Sequence, residues 1–141
     1  RLLSKVDEEI KIILINKSNK IIFKSDKEQL NRVFLNLIKN SIESIQQKAE
    51  NIGNFDKKIS IEIEENNDHI KIIMSDNGIG FGVFKNNIKD ILHPYITTKK
   101  NGTGLGLSIV NKIINDHNGK IEFIPIVNGA QIEIIFNSND N

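Results

Sequence analysis

Two glycine clusters, Asp76-Asn77-Gly78-Ile79-Gly80-Phe81-Gly82 and Gly102-Thr103-Gly104-Leu105-Gly106-Leu107, offer backbone without a Cβ, which is what a close approach to a phosphate requires. The second cluster runs straight into a helical pattern. Free N–H groups and the positive end of the helix dipole converge there, an arrangement that suits an anion such as a triphosphate. Taken alone, it fits a flexible loop before a structural helix start equally well. Neither cluster is a Walker A, since no Gly-Lys-Ser/Thr follows at the required spacing. Neither is a dinucleotide fingerprint, because Val83 and Leu107 stand where a third glycine is needed.

Gln29, Arg32, Asn36, Asn40, Glu43 and Gln47 recur at steps of three and four, so they line one face of a helix. A solvated stripe is the plain interpretation. Asn36 and Asn40, one turn apart, also set two amide oxygens side by side, and Mg²⁺ accepts neutral oxygen ligands alongside nucleotide phosphates. Asp76 ends a strand-like run at a glycine turn. It can cap that turn, or its carboxylate can accept a hydrogen bond from an exocyclic amino group such as that of adenine. Thr97-Thr98-Lys99-Lys100 places hydroxyls and ammonium groups before the second glycine cluster, which suits phosphate oxygens and exposed loops alike.

The elements that would position these residues are legible in the hydrophobic pattern. Short Ile-rich runs at Glu9 to Ile15 and Ile21 to Lys24, separated by Asn16-Lys17-Ser18-Asn19-Lys20, predict a strand hairpin. Ser25-Asp26 can cap an amphipathic helix carrying Leu30, Val33, Phe34, Leu37, Ile38, Ile42 and Ile45, expected to reach about Lys48. After a polar break with Gly53, Ile59, Ile61 and Ile63 alternate with polar residues. Asn66-Asn67-Asp68 then turns the chain into a second strand through Ile70, Ile72 and Met74. Val83 to Thr103 reads as a long mobile loop. Leu105, Ile109, Val110, Ile113 and Ile114 resume helical spacing, stopped by Asn118-Gly119. Final strands are expected over Lys120 to Ile124 and Gln131 to Phe136, joined through Pro125 and Asn128-Gly129. Strands in hairpin pairs with two amphipathic helices predict an α+β fold, a two-layer sandwich of a mostly antiparallel (mixed) sheet with helices on one face.

Composition narrows the class. The chain has 141 residues, one domain's length, with 19 Lys+Arg against 18 Asp+Glu, so no nucleic-acid partner is expected. Ile, Leu, Val and Phe supply 50 residues, enough for a core. Cysteine is absent, which excludes disulfides and thiol chemistry. The longest aliphatic run is Ile12 to Ile15, far short of the ~18 residues of a membrane helix, so no direct membrane contact is expected. The chain starts at Arg1, and Arg1 to Asp7 carry no folding signal, so it is read as a piece of a longer protein.

In order and spacing, Asn36-Leu37-Ile38-Lys39-Asn40, Asp76-Asn77-Gly78-Ile79-Gly80, Leu92-His93-Pro94-Tyr95-Ile96-Thr97-Thr98-Lys99 and Gly102-Thr103-Gly104-Leu105-Gly106-Leu107 resemble the N, G1, F and G2 boxes of sensor histidine kinases. The resemblance spans about Glu9 to Phe136. Thr-Thr-Lys before the second glycine cluster, and Asp116-His117-Asn118-Gly119 after its helix, look most like the nitrogen-regulation branch. The family departs here in three places: Glu43-Ser44 replaces a frequent basic residue, the aromatic F box is softened to Leu92-x-Pro94-Tyr95, and Ser41 replaces the usual Ala, a change that looks minor.

The resemblance implies a Bergerat ATP-binding fold, shared with the chaperone, gyrase and mismatch-repair ATPases, and ATP with Mg²⁺ as cofactors. Asp76 would recognise the adenine amino group, Gly78 and Gly80 would let the base lie against backbone, and Asn40 would ligate Mg²⁺ with Asn36 nearby. Thr98, Lys99, Gly102, Thr103, Gly104, Leu105, Gly106 and Leu107 complete the implied nucleotide site, with Leu92 and Tyr95 as apolar lid anchors. Residues 1–8 would be the remnant of a linker, 9–136 the catalytic domain with its ATP lid at about 82–103, and 137–141 a tail. The γ-phosphate would pass to a histidine on an upstream dimerisation domain and then to a response regulator, the whole protein being a homodimer anchored in the inner membrane with this domain in the cytoplasm. His69, His93 and His117 lie in no acceptor-like context. Hydrolysing relatives carry a Glu one turn before the Mg²⁺ asparagine, where Asn36 stands and cannot act as a general base. A hydrolysing Bergerat ATPase and a catalytically silent nucleotide-binding docking module are the alternative readings.

Overall fold

A computed structural model describes residues 10–17, 27–66, 68–81 and 106–137. Strand β1 (Lys11–Asn16) is followed by helix α1 (Lys27–Ile52), strands β2 (Lys58–Glu65) and β3 (His69–Asp76), helix α2 (Gly106–Asp116) and strands β4 (Gly119–Ile126) and β5 (Gly129–Asn137). The five strands form one sheet in the order β1-β2-β3-β5-β4. β1 runs parallel to β2, and every other pair is antiparallel. The expected mixed, mostly antiparallel α+β sandwich is therefore the observed one. A parallel pair cannot be closed by a hairpin, and α1 is the crossover between β1 and β2. The predicted partner strand at Ile21 to Lys24 and the long loop up to Thr103 lie outside the described residues.

The core follows from two periodicities meeting. Ile70, Ile72 and Met74 on β3 and Ile132, Ile134 and Phe136 on β5 point to one face, where Val33 and Leu37 of α1 and Val110, Ile113 and Ile114 of α2 cover them. A second cluster of Ile10, Ile42, Ile45 and Ile59 carries the core to the far end of α1. Fully burying one such side chain stabilises by about 1.5–3 kcal/mol, so these clusters hold α1 and β3, the two elements that carry the site, at a fixed separation.

Element ends differ from the sequence reading in ways that have local causes. Helix α1 runs a turn beyond Lys48, because Gly53 takes a left-handed φ of 83° and its N–H closes on the Ala49 carbonyl at 2.9 Å. Strand β4 continues through Pro125, which pairs with Ala130 and is tolerated because β4 is an edge. Strand β5 reaches Asn137, the first residue of the expected tail. At the end of α2, Asn118 rather than Gly119 adopts the left-handed conformation, φ 59°. Gly119 is needed for space instead, since a Cβ there would stand 2.8 Å from the Phe136 ring.

Candidate functional site

Strand β3 delivers Asp76 to the end of the sheet beside the middle of α1. Ser41 and Asp76 are the buried polar side chains among the described residues, 4% and 9% exposed. The Asp76 carboxylate accepts the backbone N–H of Gly78 at 2.9 Å and a hydrogen bond from the Ser41 side chain. Burial pushes its pKa above the ordinary 3.8, against the opposing pull of Gly78, Ser41 and the Lys48 ammonium. The result is a desolvated hydrogen-bond acceptor fixed between a strand end and a helix.

Three residues of α1 grip the turn that follows. Ser41 holds Asp76, the Ser44 hydroxyl accepts the Ile79 N–H at 2.9 Å, and Lys48 Nζ donates to the Asn77 carbonyl at 2.9 Å. Their spacing of three and four places them along one side of the helix. Lys48 also lies 4.8 Å over the Phe55 ring. Asn77 fastens the turn to the start of β2: its Oδ1 accepts the Lys58 N–H at 2.9 Å and its Nδ2 donates to the Asp56 carbonyl at 2.6 Å. Phe81 then meets Phe123 edge to face, with ring centroids 6.0 Å apart, and anchors the far side of the turn on β4.

The turn glycines owe their identity to this packing. A Cβ on Gly78 would clash with the Ser44 hydroxyl and come within 2.8 Å of the Ile45 nitrogen. Gly80 has φ 80°, and a Cβ on it would meet the Gly129 carbonyl at 2.9 Å. Gly129, at the start of β5, lies against the backbone of Asp76 itself. Gly78 and Gly80 therefore make room for the protein's own backbone, a reason distinct from room for a base.

Asn36 and Asn40 are both half-buried on α1, one turn apart, on the flank of the helix's buried face. Asn36 Nδ2 donates to the Arg32 carbonyl at 2.9 Å, and a Cβ on Gly106, the first residue of α2, would stand 3.5 Å from Asn36 Oδ1. The start of α2 thus adjoins Asn36. Among the described residues no three His, Cys, Asp or Glu side chains converge on one point. An amide oxygen at Asn40 fits a Mg²⁺ that brings most of its oxygen ligands with a polyphosphate, and does not fit a free-standing metal centre.

Of the predicted site residues, Asn36, Asn40, Asp76, Gly78, Gly80, Gly106 and Leu107 fall in the described structure and lie along α1, the turn after β3 and the start of α2. Thr98, Lys99, Gly102, Thr103, Gly104 and Leu105, with Leu92 and Tyr95, lie outside the described residues. Sequence reasoning assigned Ser41, Ser44, Lys48 and Gly129 no part in the site. Ser41 carried a signal nonetheless, because it stands in the apolar stripe between Leu37 and Ile45, both 0% exposed. The described histidines serve local structure: His117 Nδ1 donates to the Ile113 carbonyl at 2.8 Å, and His69 Nε2 accepts Asn66 Nδ2 at 3.2 Å.

Comparison with known proteins agrees with this geometry. Residues 25–139 match the family model described as histidine kinase-, DNA gyrase B-, and HSP90-like ATPase. A putative sensor histidine kinase NtrY-like of Rickettsia conorii is 36% identical over 115 residues, covering 81% of this chain and 18% of that protein. The sensory histidine kinase/phosphatase NtrB of Azospirillum brasilense is 34% identical over 103 residues, covering 70% of this chain and 26% of its own length. The chain therefore spans about a fifth to a quarter of these relatives. Among solved structures, a nucleotide-free catalytic domain of histidine kinase ThkA superposes with a TM-score of 0.79 at 25% identity, over 97% of this chain and 87% of that one.

Proposed function

The chain belongs to the histidine kinase-, DNA gyrase B-, and HSP90-like ATPase family as a histidine kinase-type catalytic domain, and from that premise we propose that it binds Mg²⁺·ATP for transfer of the γ-phosphate to a histidine on another domain. The observation that carries this reading is Asp76, a carboxylate buried at a strand end and held as an acceptor, which suits the amino group of adenine. The base lies against the turn from Gly78 to Gly80. Asn40 holds Mg²⁺, which offsets charge on the phosphates, while Asn36 and the start of α2 at Gly106 and Leu107 border them. Thr98, Lys99, Gly102 and Thr103, within an ATP lid at about 82–103, and Gly104 and Leu105 just after it contribute the remaining phosphate contacts.

Asn36 favours transfer over hydrolysis. It has no carboxylate to activate water, and its amide is engaged with the Arg32 carbonyl. What the domain supplies is positioning and charge neutralisation for an in-line displacement. The acceptor belongs to upstream dimerisation helices, for which residues 1–8 form the connection, and a response regulator receives the phosphoryl group next. On this reading the whole protein is a homodimer anchored in the inner membrane with this domain on the cytoplasmic side, which the sensor-kinase names of its relatives support without stating it. No described helix is itself long and apolar enough to cross a membrane.

The test mixes the chain with separately made acceptor-helix domains and ATP labelled at the γ-phosphate. Acid-labile, histidine-linked label is the expected product. Nucleotide binding without label in any pairing would overturn the kinase reading, and steady phosphate release without transfer would favour the hydrolase.

A further inference from the structure

We propose that Asn77 is a positioning residue for the nucleotide turn, and that its side chain couples a nucleotide on that turn to the segment Phe55–Lys58 and, through it, to the start of β1. The inference rests on the reading of that turn as the seat of the base, given above.

Every polar group of Asn77 is engaged. Its Oδ1 accepts the Lys58 N–H at 2.9 Å, its Nδ2 donates to the Asp56 carbonyl at 2.6 Å, its N–H donates to the Lys58 carbonyl at 3.3 Å, and its own carbonyl accepts Lys48 Nζ at 2.9 Å. All but the last end on Asp56 or Lys58. A donor and an acceptor together at the tip of a short side chain are what an asparagine amide supplies, whereas an aspartate would set a second acceptor against the Asp56 carbonyl. The N–H of the next residue, Gly78, is fixed on the Asp76 carboxylate, so a shift of Asn77 is a shift of the turn.

The same segment also holds the start of β1. The carbonyl of Lys57, between the two residues that Asn77 grips, accepts the Lys11 N–H at 2.9 Å. Phe55 packs against the cluster of Ile10, Ile42, Ile45 and Ile59 and lies under Lys48 Nζ. Residues 53–57 belong to no helix or strand, and an open cleft that Lys57 lines with Ile10, Ala49 and Glu50 leaves one side of the segment unfilled. A segment with no hydrogen-bond ladder of its own and space beside it takes its position from its contacts, and the Asn77 amide supplies those that face the site.

Such a segment opens locally at less cost than global unfolding. Two states result: the segment closed on Asn77, and the segment open with the Lys58 and Lys11 amides released. A nucleotide that needs the turn in its closed form binds the first state alone, and slows exchange of both amides by a factor that approaches the ratio of free ATP to its Kd. The coupling is reciprocal, so a change at the start of β1 that favours the open state weakens ATP by the same factor.

Amide hydrogen exchange tests this on the chain, on Asn77→Ala and on Lys48→Met, each without nucleotide and with Mg²⁺·ATP at about ten times the Kd found for that chain by titration. In the parent, exchange at Lys58 and Lys11 should slow roughly tenfold. The His69 amide, held by Asn66 Oδ1 at 2.9 Å at the opposite end of β2 and β3, should keep its rate. In Asn77→Ala the slowing at Lys58 and Lys11 should be lost while that at Ile79 remains. The Lys58 N–H and Asp56 carbonyl that lose their partners are exposed and turn to water, so the variant keeps its fold, which thermal unfolding checks. Lys48→Met removes the contact to the Asn77 carbonyl alone and should keep the slowing at both amides. Slowing that extends equally to His69, slowing that survives in Asn77→Ala, or slowing lost in Lys48→Met overturns the inference, and the parent comparison decides it even where a variant does not fold. ATP that slows Ile79 but neither Lys58 nor Lys11 removes the coupling only, whereas a parent that binds no ATP removes the nucleotide reading and the coupling with it.

Discussion

Gly129 lies directly against Asp76: a Cβ on Gly129 would overlap the Asp76 carbonyl oxygen and stand 3.1 Å from its carbonyl carbon. The pair is where β5 begins to lie along β3, since Asp76 registers with Ala130. A Gly129→Ala chain must push β5 away from the strand end that carries the carboxylate. The expected outcome is a destabilisation of about 1–3 kcal/mol by overpacking, together with at least tenfold weaker ATP binding. Gly53→Ala is the control. It meets nothing within 4 Å but has φ 83°, so denaturant unfolding registers a cost of about 1–2 kcal/mol while ATP titration is unchanged.

Asp76→Asn separates stability from function. Burial favours the neutral carboxyl, so the folded chain keeps this proton to a higher pH than the unfolded chain, whose ordinary value is 3.8. Between 3.8 and the raised value the folded state binds more protons, and the stability of the protonated group is lost as pH rises through the raised value. At neutral pH the charged Asp76 is therefore a cost that Asn lacks. Urea unfolding of the two chains over a pH series should find Asp76→Asn gaining relative to the parent from 3.8 up to the raised value and then level. ATP binding of the same variant should fall sharply, so the carboxylate is kept for ligand and not for fold.

Ser44→Ala removes the acceptor of the Ile79 N–H and leaves the core clusters untouched. The expected cost is about 1 kcal/mol. Hydrogen exchange gives the sharper readout: the Ile79 amide should exchange faster while the amides of β5 keep their protection. Faster exchange throughout the sheet would instead make Ser44 part of the global fold. Lys48→Met extends the same logic to the Asn77 carbonyl, and a combined variant should loosen the turn more than either change alone, because both contacts hold one short segment.

How much of this was legible in the sequence depended on the range of the signal. Periodicity located α1, α2 and the four strands around Asp76, because each pattern is local and repeats several times. The parallel pairing of β1 with β2 was hidden, since no local pattern distinguishes a parallel neighbour from a hairpin partner across a long crossover. Asn36, Asn40 and Asp76 were legible as residue types at meaningful positions. The grip of Ser41, Ser44 and Lys48 on the turn was not, because Ser44 and Ile79 are 35 residues apart and meet only once α1 lies on the sheet. Ser41 looked like a minor departure for the same reason: its acceptor is on another element. Gly129 read as a hairpin turn residue, yet Asn128 takes the left-handed conformation there, φ 60°, and Gly129 is reserved for the approach to Asp76.

The asparagine pair gives a prediction that separates metal from base recognition. Asn36 and Asn40 share one flank of α1, but Asn36 already donates its amide N–H to the Arg32 carbonyl, which turns its oxygen toward the start of α2 near Gly106. Asn40 is the metal candidate because it occupies the position that the resemblance to sensor histidine kinases assigns to the Mg²⁺ ligand. If Mg²⁺ is held by one amide oxygen plus phosphate oxygens and water, its contribution to ATP affinity should vanish when that oxygen is removed. The parent chain should bind ATP more tightly with Mg²⁺ than in a chelator, and Asn40→Ala should bind equally in both. The Asp76→Asn chain should behave oppositely, weak in both conditions but still strengthened by Mg²⁺. Asn36→Ala should retain most of the Mg²⁺ effect. Equal Mg²⁺ dependence in the parent and Asn40→Ala would move the metal to another ligand.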